Sequence, residues 1–285
     1  MAIARHSTGP TTAWEALASQ IHPVFMLPPI AASWFGAILA SEFALGIGSV
    51  HAFAVGLAVY TAHVKDGYVD FHVRGEDDDH PLTVRGCRLA LVGATIGFTG
   101  CLLVLGWYVD HWAVLLTLPG WVIGYLHAPQ LDIHPLGATL GYPGGIGLAI
   151  LGGHYVQTST LSAPVLAYAA VFVVVLAGVK IIDDETDLVY DRSIGKRTVA
   201  VVLGRTRARR LALLSIAGGL LAVVWFSVLG VFPRSAPVAG IVFAGIALLS
   251  HRSPPDLATK LLVRGSYLFL ALLVASVWYR PLESV

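Results

Sequence analysis

VKIIDDETDLVYDRSIGKRT, from Val179 to Thr198, packs five acids and four bases directly behind LAYAAVFVVVLAG, a run that a bilayer core would accept. A membrane helix that ends in a cluster of carboxylates needs a reason. The chain repeats the arrangement at AHVKDGYVDFHVRGEDDDHPLT, Ala62 to Thr83, where another apolar stretch runs into acids. Over all 285 residues the chain is 56% hydrophobic and only 12% charged, the composition of a membrane protein rather than of a soluble domain.

Stretches of about 20 apolar residues predict nine spans over 22–41, 48–65, 86–107, 111–127, 137–157, 161–182, 209–231, 236–250 and 260–279. With the N-terminus inside, sixteen Lys and Arg residues fall at the inner side and only Arg234 and Arg280 at the outer. That bias places both acidic segments at the cytoplasmic face of a cell membrane. The first twenty residues lack the apolar core of a signal peptide, and TTAWEALASQI predicts a short helix lying at the membrane surface. The expectation is one all-α polytopic domain over 1–285, with 1–21 as an interfacial segment. Cys87 and Cys101 share one predicted helix, about 21 Å apart, so they cannot pair. GRTRARR, Gly204 to Arg210, suits anionic lipid headgroups better than nucleic acid. Gly144, Gly145 and Gly147, with Gly218 and Gly219, suggest close helix packing.

Eleven of the 17 acids lie in the two segments. Asp66 and Asp70 are four apart, as are Asp183, Asp187 and Asp191, which stacks carboxylates on a helix face where they repel unless a cation intervenes. Oxygen ligands without nearby sulfur suit a hard divalent ion, and Mg²⁺ prefers a few carboxylates plus phosphate oxygens. Two carboxylate walls flanked by Arg74, Lys196 and Arg197 therefore describe a pocket for a magnesium–diphosphate. At a membrane face the diphosphate with an apolar remainder is a polyprenyl diphosphate. A cation-dependent transporter is the reading from another class. It would place its ionisable groups near the midplane, whereas these acids gather at one face. Solvated loops are the third reading, and they do not explain why the pattern is built twice.

The pattern resembles the UbiA superfamily of intramembrane prenyltransferases, whose members carry nine transmembrane helices and Asp-rich motifs after the second and sixth. DDETDLVYDRSIGKRTVAVVLG, Asp183 to Gly204, is most similar to the dihydroxynaphthoate prenyltransferases of menaquinone synthesis, with Asp191, Gly195, Lys196, Arg197 and Thr198 on matching positions. LGGHYVQTSTLS, Leu151 to Ser162, resembles the same subgroup. The first motif departs from the family's Asn-Asp-x-x-Asp form: Asp66 stands at the Asn and Gly67 at the first Asp. The loop after the fourth span lacks the family's base and offers His127 and His134.

The resemblance implies nine helices around a central cavity open to the cytoplasm. It implies Mg²⁺ held by Asp66, Asp70, Asp77, Asp183, Asp187 and Asp191, with Asp66, Asp70, Asp183 and Asp187 as the catalytic set. Arg74, Lys196 and Arg197 would bind diphosphate, and Trp34, Phe98 and Tyr168 could line a prenyl tunnel. The donor would be a polyprenyl diphosphate. The acceptor would be aromatic, possibly 1,4-dihydroxy-2-naphthoate, or else a lipid or isoprenoid such as a prenylated glycerol phosphate or a carotenoid. Within the acidic loop Asp77 is the expected ligand, and Asp79 is expected to be solvated.

Overall fold

Each of the nine apolar stretches folds as a helix in the computed structural model, which describes residues 2–40 and 42–282. Met1, Ser41 at the end of the first expected span, and the last three positions of the expected domain lie outside the described residues. The helices are α1 Pro10–Ala18, α2 Pro23–Ile38, α3 Leu45–Gly67, α4 Val84–Tyr108, α5 His111–Leu126, α6 Pro135–Thr158, α7 Ala163–Thr186, α8 Leu188–Ser193, α9 Val199–Leu203, α10 Arg205–Val228, α11 Ala236–His251 and α12 Pro255–Tyr279. Among the described residues there is no strand, only an antiparallel bridge between Ala4 and Leu82.

Local chemistry sets the boundaries. The Thr83 hydroxyl accepts the Gly86 N–H at 3.0 Å to open α4, and Asp110 accepts the N–H groups of Trp112 and Ala113 to open α5. These caps satisfy amides that a helix start leaves orphaned. Pro23 starts α2, and Pro28 and Pro29 are accommodated inside it; the sharp bend, 66°, lies between α1 and α2.

Length and composition mark five segments as able to cross a membrane alone: Leu45–Arg74, Val84–Tyr108, Ala163–Thr186, Arg205–Val228 and Leu257–Tyr279. The bent α1–α2 pair makes a sixth when taken as one span, and α11 is apolar but short. The chain is a multi-pass membrane protein. Its outward side chains agree: Ile96, Leu103, Leu214, Leu221 and Ile241 are each about two-thirds exposed or more, and Trp107 is 85% exposed. In water such a surface would be a liability, whereas lipid is its natural neighbour.

α7 is the central helix, packed against α6, α10 and α12. α2 lies unusually close to α6. A Cβ at Gly36 would stand 2.0 Å from the Ile150 carbonyl oxygen, and one at Gly153 would stand 2.0 Å from that of Ser33. Only glycine permits this backbone contact. Of the glycine clusters singled out in the sequence, Gly147 and Gly219 serve close packing, against Val173 and Val175, while Gly145 lines a cavity.

Candidate active site

A cavity of about 670 Å³ lies among α2, α3, α4, α5, α6, α7 and α12. Its apolar wall comes from the bodies of the helices, with Val55, Phe98, Leu116, Ile123, Leu148 and Leu176. Its charged wall comes from the C-terminal ends of α3 and α7 and the loop after α3, with Asp66, Asp70, Asp77, Lys180 and Asp183. The cavity therefore presents an apolar chamber and a set of carboxylates to the same ligand.

The first acidic segment sits on an irregular end. α3 passes at Tyr68 into a π-helical stretch, Tyr68–Arg74, that stops at Gly75 with φ +66°. A π turn widens the helix by one residue per turn and is frequent at functional sites. The Gly75 turn carries the chain back as expected, and the Glu76 N–H donates to the Asp70 carbonyl at 2.7 Å. Arg74 is nearly buried and pairs with Asp70 at 3.3 Å, Glu76 at 3.5 Å and Asp132 at 3.4 Å. Arg74, expected to bind diphosphate, gathers three carboxylates here, since one guanidinium can serve several acids at once. Asp66 makes no hydrogen bond or ion pair among the described residues; its charged neighbours are His127, Asp132, Lys196 and Arg74. Asp79 is 61% exposed and pairs with Arg5 and His6, away from the cavity lining.

The second segment is not the single stacked face that its spacing predicts. α7 ends at Thr186, Asp187 forms the junction, and Asp191 lies on α8, although the Asp191 N–H still reaches the Asp187 carbonyl at 2.8 Å. Acids at a helix C-terminus oppose its dipole, which favours ending the helix here. Basic groups offset the rest. Lys180 pairs with Asp183 at 2.9 Å and Asp184 at 2.6 Å, and Arg205 and Arg209 flank Glu185. Burial, with Asp184 next in effect, pushes the Asp191 carboxyl up to about 6.

The two segments meet. The Tyr190 hydroxyl donates to Glu76 Oε2 at 2.8 Å, and this bond pushes the phenol up to about 12. Lys196 lies within electrostatic reach of Asp66, Asp70 and Asp191. The Arg197 N–H donates to the Asp132 carbonyl at 2.9 Å, so the loop after α5 is stitched to both segments. Asp132, buried and salt-bridged to Arg74, is absent from the sequence-based site. A lone acid in QLDIHP gives little signal.

Other expectations sort clearly. Of the three aromatics, Phe98 lines the cavity; Trp34 packs on Phe43, and Tyr168 is buried against Phe232. His127 lines the cavity, whereas His134 is the residue before α6 and is exposed. The Arg197 side chain is exposed. The charged wall fits a hard divalent cation. Its donors are the carboxylate oxygens of Asp66, Asp70, Asp77 and Asp183, and the Asp66 side chain has no ion-pair partner among the described residues.

Residues 26–273 match the model of the UbiA prenyltransferase family. No curated protein matches the sequence. Among solved structures, one from work on digeranylgeranylglyceryl phosphate synthase in membranes superposes with a TM-score of 0.72 at 14% identity, covering 94% of this chain and 98% of its own. A UbiA homologue from Aeropyrum pernix K1 gives 0.66 at 16% identity, covering 90% and 98%. One from Archaeoglobus fulgidus bound to Cd²⁺ gives 0.66 at 15% identity, covering 93% and 99%. At these identities the likeness is one of fold.

Proposed function

Since this chain belongs to the UbiA prenyltransferase family and is an intramembrane prenyltransferase, we propose that it transfers a polyprenyl group from its diphosphate to an aromatic acceptor at the cavity described above. The observation that carries the reading is the Tyr190–Glu76 hydrogen bond, which draws the two acidic segments together beside an apolar chamber. In this reading nine helices span the cell membrane as one domain, with the N-terminus and the charged wall cytoplasmic, as the distribution of Lys and Arg supports.

Asp66, Asp70, Asp77, Asp183, Asp187 and Asp191 hold Mg²⁺, which when bound neutralises the diphosphate and makes it a better leaving group. Lys196, free of any ion pair among the described residues, meets charge that develops on the departing oxygens, and Arg197 reinforces it from the rim. Such preorganised charge is the term that usually dominates catalysis of this kind. Arg74 acts one step back: it holds Asp70, Glu76 and Asp132 in place rather than gripping the substrate. The apolar wall takes the prenyl chain and keeps water from the allylic cation that forms as the C1–oxygen bond breaks. An electron-rich acceptor carbon then bonds to C1, and that carbon loses the group it carried, a proton or a carboxyl group as CO₂, while diphosphate departs.

The similarity of the Lys196–Arg197–Thr198 and Tyr155–Val156–Gln157–Thr158 segments to dihydroxynaphthoate prenyltransferases supports 1,4-dihydroxy-2-naphthoate, and with it a place in menaquinone synthesis. The departure at Gly67 and the missing base near His127 favour a second reading, a lipid or isoprenoid acceptor. Membranes containing the protein, given radiolabelled polyprenyl diphosphate and a panel of acceptors with and without EDTA, test both. Labelled product from dihydroxynaphthoate that disappears in EDTA is the expected result. Turnover unaffected by EDTA would overturn the metal assignment, and product only with a prenylated glycerol phosphate or a carotenoid would select the second reading.

A further inference from the structure

His72, His80 and Cys87 come from three successive pieces of chain: the π-helical end of α3, the acidic loop and the first turn of α4. One ligand atom from each lies within 4.8 Å of the other two. The intervals, seven residues and then six, belong to no familiar motif, so the cluster is invisible until the loop is folded. Cys87 is fully buried and His80 is 4% exposed.

The surroundings are those of a coordination site. The Leu82 carbonyl stands 3.1 Å from His72 Nε2 and 3.1 Å from His80 Nδ1, and the Leu82 N–H is 3.2 Å from the same His80 nitrogen, so one residue's backbone positions both rings. Metal-bound imidazoles are commonly oriented by this kind of backbone partner. His80 Nε2 is buried with no hydrogen-bond partner, a cost that a packed core normally avoids. Phe71 packs on both rings, edge-on to His72 and stacked on His80, and Arg5 lies over Phe71. The space for the His80 ring exists because residue 67 is glycine: a Cβ there would stand 2.7 Å from His80 Nε2.

We propose that His72, His80 and Cys87 bind a zinc-class ion, a second metal site that is separate in chemistry from the carboxylate wall. Two imidazoles and a thiolate are borderline-soft donors that select Zn²⁺ over Mg²⁺. In a tetrahedral site, bonds of about 2.0 Å to nitrogen and 2.3 Å to sulfur put ligand atoms about 3.3–3.6 Å apart. The three side chains therefore close by roughly an ångström on binding. The ion ties the π-helical end of α3 and the start of α4 to the loop that carries Glu76 and Asp77. It does not rest on the prenyltransferase reading, and it takes no part in chemistry.

The test uses the full chain in detergent with millimolar Mg²⁺ present, titrated with Co²⁺. A thiolate-to-cobalt charge-transfer band should grow to saturation at one equivalent and vanish on adding Zn²⁺. Cys87→Ser should abolish the band and Cys101→Ser should keep it. If Cys87→Ser does not fold, X-ray absorption on the zinc-loaded Cys101→Ser protein answers the same question, because Cys87 is then the last cysteine in the chain. Sulfur in the zinc shell supports the site. Cobalt bound without a thiolate band, no cobalt bound, or a zinc shell of oxygen and nitrogen alone overturns it.

Discussion

The two acidic segments are alike in sequence and unlike in construction. The second is held partly within its own helix, where Lys180 reaches Asp183 and Asp184 one turn away, and partly by Arg205 and Arg209 of α10 at Glu185. The first also has a local base, but that base reaches further. Arg74 collects Asp70, Glu76 and a distant Asp132, while Arg5 and the Leu82 bridge fasten the loop beyond. A π-helical end cannot stack its acids as regularly as an α-helix, so it borrows partners from elsewhere in the chain. Duplicated charge patterns can thus share a task while depending on partly different neighbours.

If both walls serve one ligand, the largest effects come from either side equally. Asp70→Ala and Asp187→Ala should each lower the transfer rate by about three orders of magnitude or more, with the detergent-solubilised protein still folded by size-exclusion and thermal melting. A large loss on one side alone would break the symmetry of the comparison. Asp66→Asn should approach the same loss in initial rate at saturating Mg²⁺, because Asp66 lines the cavity without a protein partner; near-normal rate would remove it from the ligand set.

Stability separates the walls. Arg74→Met leaves Asp70, Glu76 and Asp132 uncompensated and should cost about 3 kcal/mol, visible as a lowered melting temperature. Lys180→Met leaves a single helix end to adjust and should cost less. Equal losses would mean that the first segment is no more dependent on distant partners than the second. Tyr190→Phe removes the hydrogen bond from Tyr190 to Glu76 between the segments, a loss of about 1 kcal/mol, and should raise the KM for the diphosphate severalfold while changing kcat less. Smallest of all, Asp79→Asn breaks an exposed pair worth under about 1 kcal/mol and should leave the initial rate unchanged. A rate loss rivalling that of Asp66→Asn would put Asp79 at the cavity after all.

The helices were legible because apolar runs of membrane length are a strong signal, and the charged wall was legible because acids rarely cluster in such a chain. What stayed hidden has physical reasons. The break at Asp187 comes from repulsion at a helix end, which spacing alone does not report. Asp132 lies 58 residues from Arg74, in a loop whose sequence invites a search for a base. Arg74 has the right charge to bind phosphate, and its three carboxylate partners come together only once the chain is folded. Gly67 looks like a lost ligand until the His80 ring is seen occupying the room a side chain would need.

The first residues of the chain have a practical consequence for anyone handling the protein. The Ile3 carbonyl accepts the Thr83 N–H at 2.9 Å, the Thr83 hydroxyl donates to Ala2 and Ile3, and the Arg5 N–H donates to the Pro81 carbonyl at 2.9 Å. These bonds make the start of the polypeptide a latch on the acidic loop, some eighty residues downstream. A purification handle fused at that end would pull on the latch, whereas one fused at the other end would leave it alone. An amino-terminally tagged preparation that proves inactive would therefore say more about where the handle was placed than about the enzyme.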